Sequence, residues 1–183
     1  MKAEKFCSMD ENFELLISAS RIRRRVNRIG AEIAARLDKD GIEELHMLWI
    51  AEGAIMFAAD LARAIGRQVM IHSIRASSYG NALHSSGEVI FQGDISGLGG
   101  KHVVIVDDIL DTGRTICAVM KLLGAVGASS VQTCFLLDKK IEDKKFLTPD
   151  YVGFEIEPVY VFGYGLDMAQ KYRSLPDLHY LKQ

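Results

Sequence analysis

The sequence predicts an α/β protein: a central, mostly parallel sheet flanked by helices, with a small hood contributed by the chain ends. Three features point there. Val103-Val104-Ile105-Val106 is a run of four β-branched residues, the composition of a strand buried on both faces of a parallel sheet. Strand-like runs alternate with stretches whose apolar residues recur at helical spacing, the order of right-handed parallel crossovers. After about residue 140 the alternation stops and an irregular, Gly-punctuated tail follows. The 183 residues suffice for a single domain spanning 1–183. Its core covers about 20–140, with the hood from about 1–19 and 141–183.

Phe13, Leu15, Leu16 and Ile17 suit a short strand or helix packed on the body. Ser20 is placed to cap a helix whose apolar stripe is Ile22, Val26, Ile29, Ile33 and Leu37 and whose stop is Gly41. Arg21, Arg23, Arg24, Arg25 and Arg28 crowd its first two turns. With no interleaved aromatics, on a slightly acidic chain, they read as a solvated face or a subunit contact, not a nucleic-acid patch. Residues 45–50 form the first core strand, with Trp49 packed inside. Ala51-Glu52-Gly53-Ala54 turns into a helix bearing Ile55, Phe57, Ala58, Leu61 and Ile65, closed by Gly66.

Val69, Ile71 and Ile74 alternate with Met70, Ser73 and Arg75 in a second strand. Residues 77–88 hold four serines and two glycines without an apolar period, the pattern of a mobile loop that returns through residues 89–91. Gly97-Leu98-Gly99-Gly100 precedes a strand, the reverse of a dinucleotide fingerprint, and reads as a turn. Residues 131–137 make another buried strand, residues 151–156 one closed by Pro158, and residues 168–172 a single helical turn.

Composition excludes several classes. Hydrophobic residues make up 49% and charged residues 25%, ordinary for a globular domain. A formal charge of −2 gives no reason to expect nonspecific nucleic-acid binding. No apolar run reaches membrane-spanning length, and no signal-peptide core precedes the first helix. Cys7, Cys117 and Cys134 are odd in number and widely spaced, which favours reduced thiols in a cytoplasmic protein.

The chemistry concentrates where the 103–106 run ends. Asp107 and Asp108 follow at the edge where open α/β sheets bind ligands. Asp111-Thr112-Gly113-Arg114-Thr115 then leads into Ile116, Val119, Met120, Leu122 and Leu123 at helical spacing. Gly113 admits close backbone approach, while amides at the helix start and the hydroxyls of Thr112 and Thr115 form a phosphate cradle. Asp107 and Asp108 can accept from sugar hydroxyls or hold a hard cation such as Mg²⁺ through water. Anion donors and cation acceptors this close together suit a phosphorylated sugar carrying magnesium.

This order resembles the phosphoribosyl-diphosphate (PRPP) motif of the Rossmann-like type I phosphoribosyltransferases. Further along, Lys139, Val152-Gly153-Phe154-Glu155-Ile156, the stretch from Val161 to Asp167, and Tyr172-Arg173 resemble the hypoxanthine-guanine phosphoribosyltransferases, as does Ser77-Ser78-Tyr79-Gly80. The resemblance runs from about Ile22 to Leu181. It implies transfer of a 5-phosphoribosyl group from Mg–PRPP to hypoxanthine or guanine, giving IMP or GMP and pyrophosphate, by a homodimer or homotetramer. By the same resemblance Asp111 is the general base at the purine N7. Asp107, Asp108, Asp111, Thr112, Gly113, Arg114 and Thr115 hold the ribose phosphate. Lys139, Tyr160, Val161 and Asp167 read the purine. Gly53, Ala54 and Arg173 meet pyrophosphate, Ser77, Ser78 and Tyr79 belong to a lid, and Asp107, Asp108 and Asp167 serve Mg²⁺.

Two positions depart from the family pattern: Glu52 stands where a basic residue is usual beside pyrophosphate, and Tyr160 where Phe is commoner. The alternative is a regulatory protein of the same fold that binds PRPP or nucleotide with weak or no catalysis. A Walker-type NTPase is excluded because its GxxxxGK[ST] loop is missing.

Overall fold

The computed structural model describes residues 12–78, 89–142, 144 and 148–182. In chain order the elements are β1 (Phe13–Ile17), α1 (Ala19–Asp40), β2 (Leu45–Ala51), α2 (Ile55–Ile65), β3 (Val69–Ser78) and β4 (Val89–Gln92). They continue with β5 (His102–Leu110), α3 (Arg114–Ala125), β6 (Ser130–Lys139), β7 (Tyr151–Ile156), β8 (Val161–Phe162) and β9 (Leu178–Leu181). Six strands form one sheet in the order β4-β3-β2-β5-β6-β7, parallel throughout except for β4.

The central strand β5 shows why its β-branched run is there. Val104 and Val106 pack toward α1 and α2, while Val103 and Ile105 pack toward α3. All four are at most 1% exposed, so the strand has no wet face. On the first side the stripe Ile22, Val26, Ile29, Ile33 and Leu37 of α1 is fully buried with Phe57 and Leu61 of α2. On the second, Ile116, Val119 and Leu123 of α3 cover Leu48, Ile74 and Phe135. Left-handed Gly41 and Gly66 end α1 and α2, as their places in the sequence suggest.

A smaller antiparallel sheet, β1-β9-β8, forms the hood. Phe162 packs against Phe13, with ring centroids 4.8 Å apart, and against Tyr172 at 5.3 Å. The residues near 13–17 therefore form a strand, and its partner comes from the far end of the chain.

Four local expectations are corrected. The N-cap of helix α1 is Ser18, two residues before the expected Ser20, and the hood's Asp177 carboxylate accepts from the Ala19 amide at 2.6 Å. Strand β3 runs through Ser77 and Ser78, which pair with Ile90 and Val89, so the segment after it starts later; Tyr79 and the rest of 79–88 lie outside the described residues. Residues 168–172 make no helical turn: Ala169 and Gln170 take positive φ, and Met168 and Lys171 close a bridged turn around them. Finally, β7 pairs in parallel with β6, so the main sheet extends past residue 140 and the hood begins only after it.

Candidate active site

The carboxyl edge of the sheet carries the site. Strand β5 continues beyond Val106 through both aspartates to Leu110, held by β6 as far as the Leu110–Asp138 pair. Gly113 follows with φ of 81°, a left-handed conformation that starts α3 without Cβ strain. The loop bends around a cavity of about 70 Å³ lined by Asp107, residues 109–116 and Phe135. The α3 start supplies amide donors and the positive end of the helix dipole, so this small, polar hollow suits an anion of phosphate size.

Asp107 and Asp108 form a tight acidic pair. The Asp108 amide donates to Asp107 Oδ1 at 3.0 Å. Burial, and next the Asp108 charge, push the Asp107 carboxyl well above its ordinary range. Burial raises Asp108 too, opposed by hydrogen bonds and by Arg173. Two half-buried carboxylates left side by side are costly, so the pair favours hydroxyl donors or a cation as a partner.

The loop after β2 is fitted against this pair. A Cβ on Gly53 would stand 1.7 Å from Asp108 Oδ2, and one on Gly165 would stand 2.2 Å from the Gly53 carbonyl. Gly53 is thus clamped between the acidic strand end and the hood. Ala54 beneath it is fully buried and starts α2.

A second cavity, about 290 Å³, lies where sheet and hood meet. The sheet side contributes Gly53, Asp108, Ile109 and Lys139; the hood contributes Tyr160, Val161, Leu166, Asp167 and Arg173. Lys139 Nζ lies 3.6 Å from Asp111 Oδ2, joining the two cavities. Tyr160 is half exposed, and its hydroxyl donates to the Asp167 carbonyl at 3.1 Å, which presents its ring at the rim. Arg173 donates through Nη1 to the Gly165 carbonyl and through Nη2 to Asp167 Oδ1, both at 2.8 Å. Asp167 Oδ2 accepts from the Gln170 amide at 2.7 Å.

Magnesium fits this donor set in part. Asp107 and Asp108 are hard oxygen ligands in need of a cation, whereas both Asp167 oxygens already have partners. Among the described residues no group of three or more His, Cys, Asp or Glu side chains is disposed to hold a metal. An ion here would complete its shell with water and substrate oxygens, as Mg²⁺ commonly does.

Sequence reasoning missed two cations. Lys144 donates to the Leu110 carbonyl at 3.2 Å and the Lys139 carbonyl at 2.9 Å, and pairs with Asp138, tying the ends of β5 and β6 together. Arg75 pairs with Glu52, whose other oxygen stands 3.7 Å from the cavity-lining Arg173. Lys144 follows a strand in a stretch of lysines that gives no hint of direction; Arg75 could have been noticed from its place near a strand's carboxyl end.

With this geometry in place, similarity to known proteins is informative. The sequence model for the phosphoribosyl transferase domain matches residues 18–170. Hypoxanthine phosphoribosyltransferase of Haemophilus influenzae is 36% identical over 163 residues, covering 88% of this chain and 91% of the relative. Hypoxanthine-guanine phosphoribosyltransferase of Aquifex aeolicus is 35% identical, covering 92% and 94%. Among solved structures, the hypoxanthine phosphoribosyltransferase of Trypanosoma cruzi superposes with a TM-score of 0.87 at 32% identity, covering 97% of this chain and 94% of that one. The chain therefore belongs to the phosphoribosyltransferase family and, within it, to the hypoxanthine-guanine phosphoribosyltransferases.

Proposed function

We propose that the protein is a purine-salvage enzyme that transfers the 5-phosphoribosyl group of PRPP to hypoxanthine, guanine or both, releasing pyrophosphate. One observation carries the assignment of roles: a single cavity joins Asp108 and Gly53 of the sheet to Lys139, Tyr160, Val161, Asp167 and Arg173, and Asp111 links it to the anion hollow at α3.

The 5-phosphate sits in the hollow, held by the backbone and hydroxyls of residues 111–115. Asp107 and Asp108 accept from the ribose hydroxyls. The base lies between Tyr160 and the sheet edge, with the Val161 backbone along its rim and Lys139 donating to its O6. An ammonium there matches an oxo-purine and leaves the amino group of adenine without an acceptor. In the reaction the bond from the anomeric carbon to pyrophosphate oxygen breaks, and a bond to a purine nitrogen forms. Asp111 takes up the purine proton, with Lys139 Nζ 3.6 Å from its Oδ2. Arg173 faces the departing pyrophosphate. Asp107 and Asp108, with Asp167 through water, would hold the magnesium that accompanies PRPP, and the ion would supply charge neutralisation to the diphosphate. The segment that follows Ser77 and Ser78 of β3, starting at Tyr79, is proposed as the lid that excludes water. Self-association into a dimer or tetramer belongs to the same proposal; the exposed Met70 and Ile71 on β3 are apolar surface for it.

The test is to incubate the protein with Mg–PRPP and each of hypoxanthine, guanine, xanthine, adenine and uracil. Nucleotide from the oxo-purines alone is the expected result. No product with any base, from protein that still binds PRPP, would replace the enzyme with the regulatory alternative.

A further inference from the structure

Four charged side chains form a chain, Arg75–Glu52–Arg173–Asp167, that ends on two residues lining the second cavity, Arg173 and Asp167. Glu52 lies between the two guanidiniums: Oε1 meets Arg75, and Oε2 stands 3.7 Å from Arg173 Nη2. Two cations and two anions cancel. A rim with no net charge is a poor match for a diphosphate leaving group, so some of this positive charge must be released when substrate arrives.

The two arginines are held differently. Arg173 is fixed by the Gly165 carbonyl and by Asp167 at 2.8 Å each, with its side chain 26% exposed. Arg75 reaches Glu52 across an open surface, their side chains 55% and 50% exposed. Ion pairs so exposed contribute little to stability and are screened by salt, so a multivalent anion can displace a single carboxylate from one. Placement agrees. Arg75 is the register partner of Ala51, the last residue of β2, and only Glu52 separates Ala51 from the cavity-lining Gly53.

We infer that Arg75 is a second pyrophosphate-binding cation of this site, and that Glu52 is a placeholder anion which keeps Arg75 and Arg173 at the rim until the diphosphate takes its place. The inference rests on the phosphoribosyl-transfer reading above. When pyrophosphate or the diphosphate of PRPP enters, Glu52 turns to solvent and its two partners close on the phosphate oxygens. The carboxylate at this position then tunes pyrophosphate affinity downward and helps release the product, while Arg75 restores the cation the loop lacks.

The experiment is calorimetric titration of magnesium pyrophosphate into wild-type protein, R75Q, E52Q and the double variant, with steady-state KM for PRPP and for hypoxanthine measured in parallel. For R75Q we expect roughly tenfold weaker pyrophosphate binding, the scale of one charge-assisted hydrogen bond, and a raised PRPP KM with an unmoved hypoxanthine KM. For E52Q we expect severalfold tighter binding at low salt, with a smaller gain in the R75Q background because one released partner is already missing. Unchanged pyrophosphate affinity in R75Q would overturn the inference. So would weaker binding in E52Q, which would make Glu52 an anchor, or a loss in R75Q shared equally by hypoxanthine KM and melting temperature. A wild-type protein that binds pyrophosphate yet forms no nucleotide would defeat the enzymatic reading and leave these affinity comparisons decisive for Arg75.

Discussion

Gly53 backs directly onto Asp108: the position a Cβ would occupy on Gly53 is 1.7 Å from Asp108 Oδ2. Backbone of one loop and side chain of the central strand occupy adjoining space with no room for a methyl group. Gly53→Ala must therefore push Asp108 out of place or swing the loop away from Gly165. A reacting group displaced by about 1 Å costs on the order of 100-fold in rate, and that is the fall expected in kcat/KM for PRPP. Circular dichroism should show the fold intact. Activity within threefold or so of wild type would mean that the loop has slack.

Asp111→Asn removes the proposed proton acceptor but keeps the shape of the loop. Turnover should fall by roughly 10²–10⁴-fold while pyrophosphate and PRPP bind nearly as before. With half the Asp111 side chain in solvent, the change should leave the melting temperature in place, which separates such a loss from a folding defect. Normal turnover would remove it from the chemistry.

Arg25 acts within the fold. Its guanidinium donates to the Val152 carbonyl at 2.5 Å and 3.1 Å, to that of Gly153 at 3.1 Å, and pairs with Glu32 at 3.1 Å. Through it α1 holds the edge strand β7. Arg25→Ala should cost about 1–3 kcal/mol in urea unfolding, the range for losing hydrogen bonds to a charged donor. The same change at Arg24 should cost little, and equal losses at both would remove Arg25 from this role.

His72 makes stability depend on pH at the opposite edge of the sheet. His46 Nδ1 and His72 Nε2 are 2.9 Å apart, with rings stacked at 5.1 Å. Glu44 meets His46 from the other side and is shared with Lys101. Burial, and next the neighbouring His46, hold His72 below its ordinary value. Between that lowered value and the ordinary one, the unfolded chain binds the proton that the folded protein refuses. Stability therefore rises with pH across that window and is lost as pH falls through it. Urea midpoints should drop between about pH 7.5 and about pH 5.5, and His72→Gln should flatten the drop. Parallel pH profiles for the two proteins would assign the dependence elsewhere.

What could be read in the sequence was what neighbours in the chain determine. The strand run at Val103–Val106 and the stripe from Ile22 to Leu37 are short-range patterns, and the structure buries them as the pattern requires. The order of acids, threonines and glycine after β5 likewise marks a loop-to-helix junction, and the cavity there is lined by those same residues. What escaped notice depends on partners remote in sequence. The carboxylate that accepts from the Ala19 amide at the start of α1 belongs to Asp177, 158 residues away. Arg75 gains its meaning only once β3 lies beside β2 and Glu52 is brought within reach. The turn at residues 168–171 misled because its composition is compatible with a helix, while the backbone follows the bridge closing beneath it.

The hood has a consequence for the order in which a newly made chain acquires its parts. Its middle strand, β9, follows in sequence every element it joins, and both β1 and β8 depend on it for pairing. In a nascent chain β5 and α3 are therefore made before β1 has any strand to pair with. During that interval the hood sheet has no middle strand, and the arrival of residues 178–181 gives both β1 and β8 their partner.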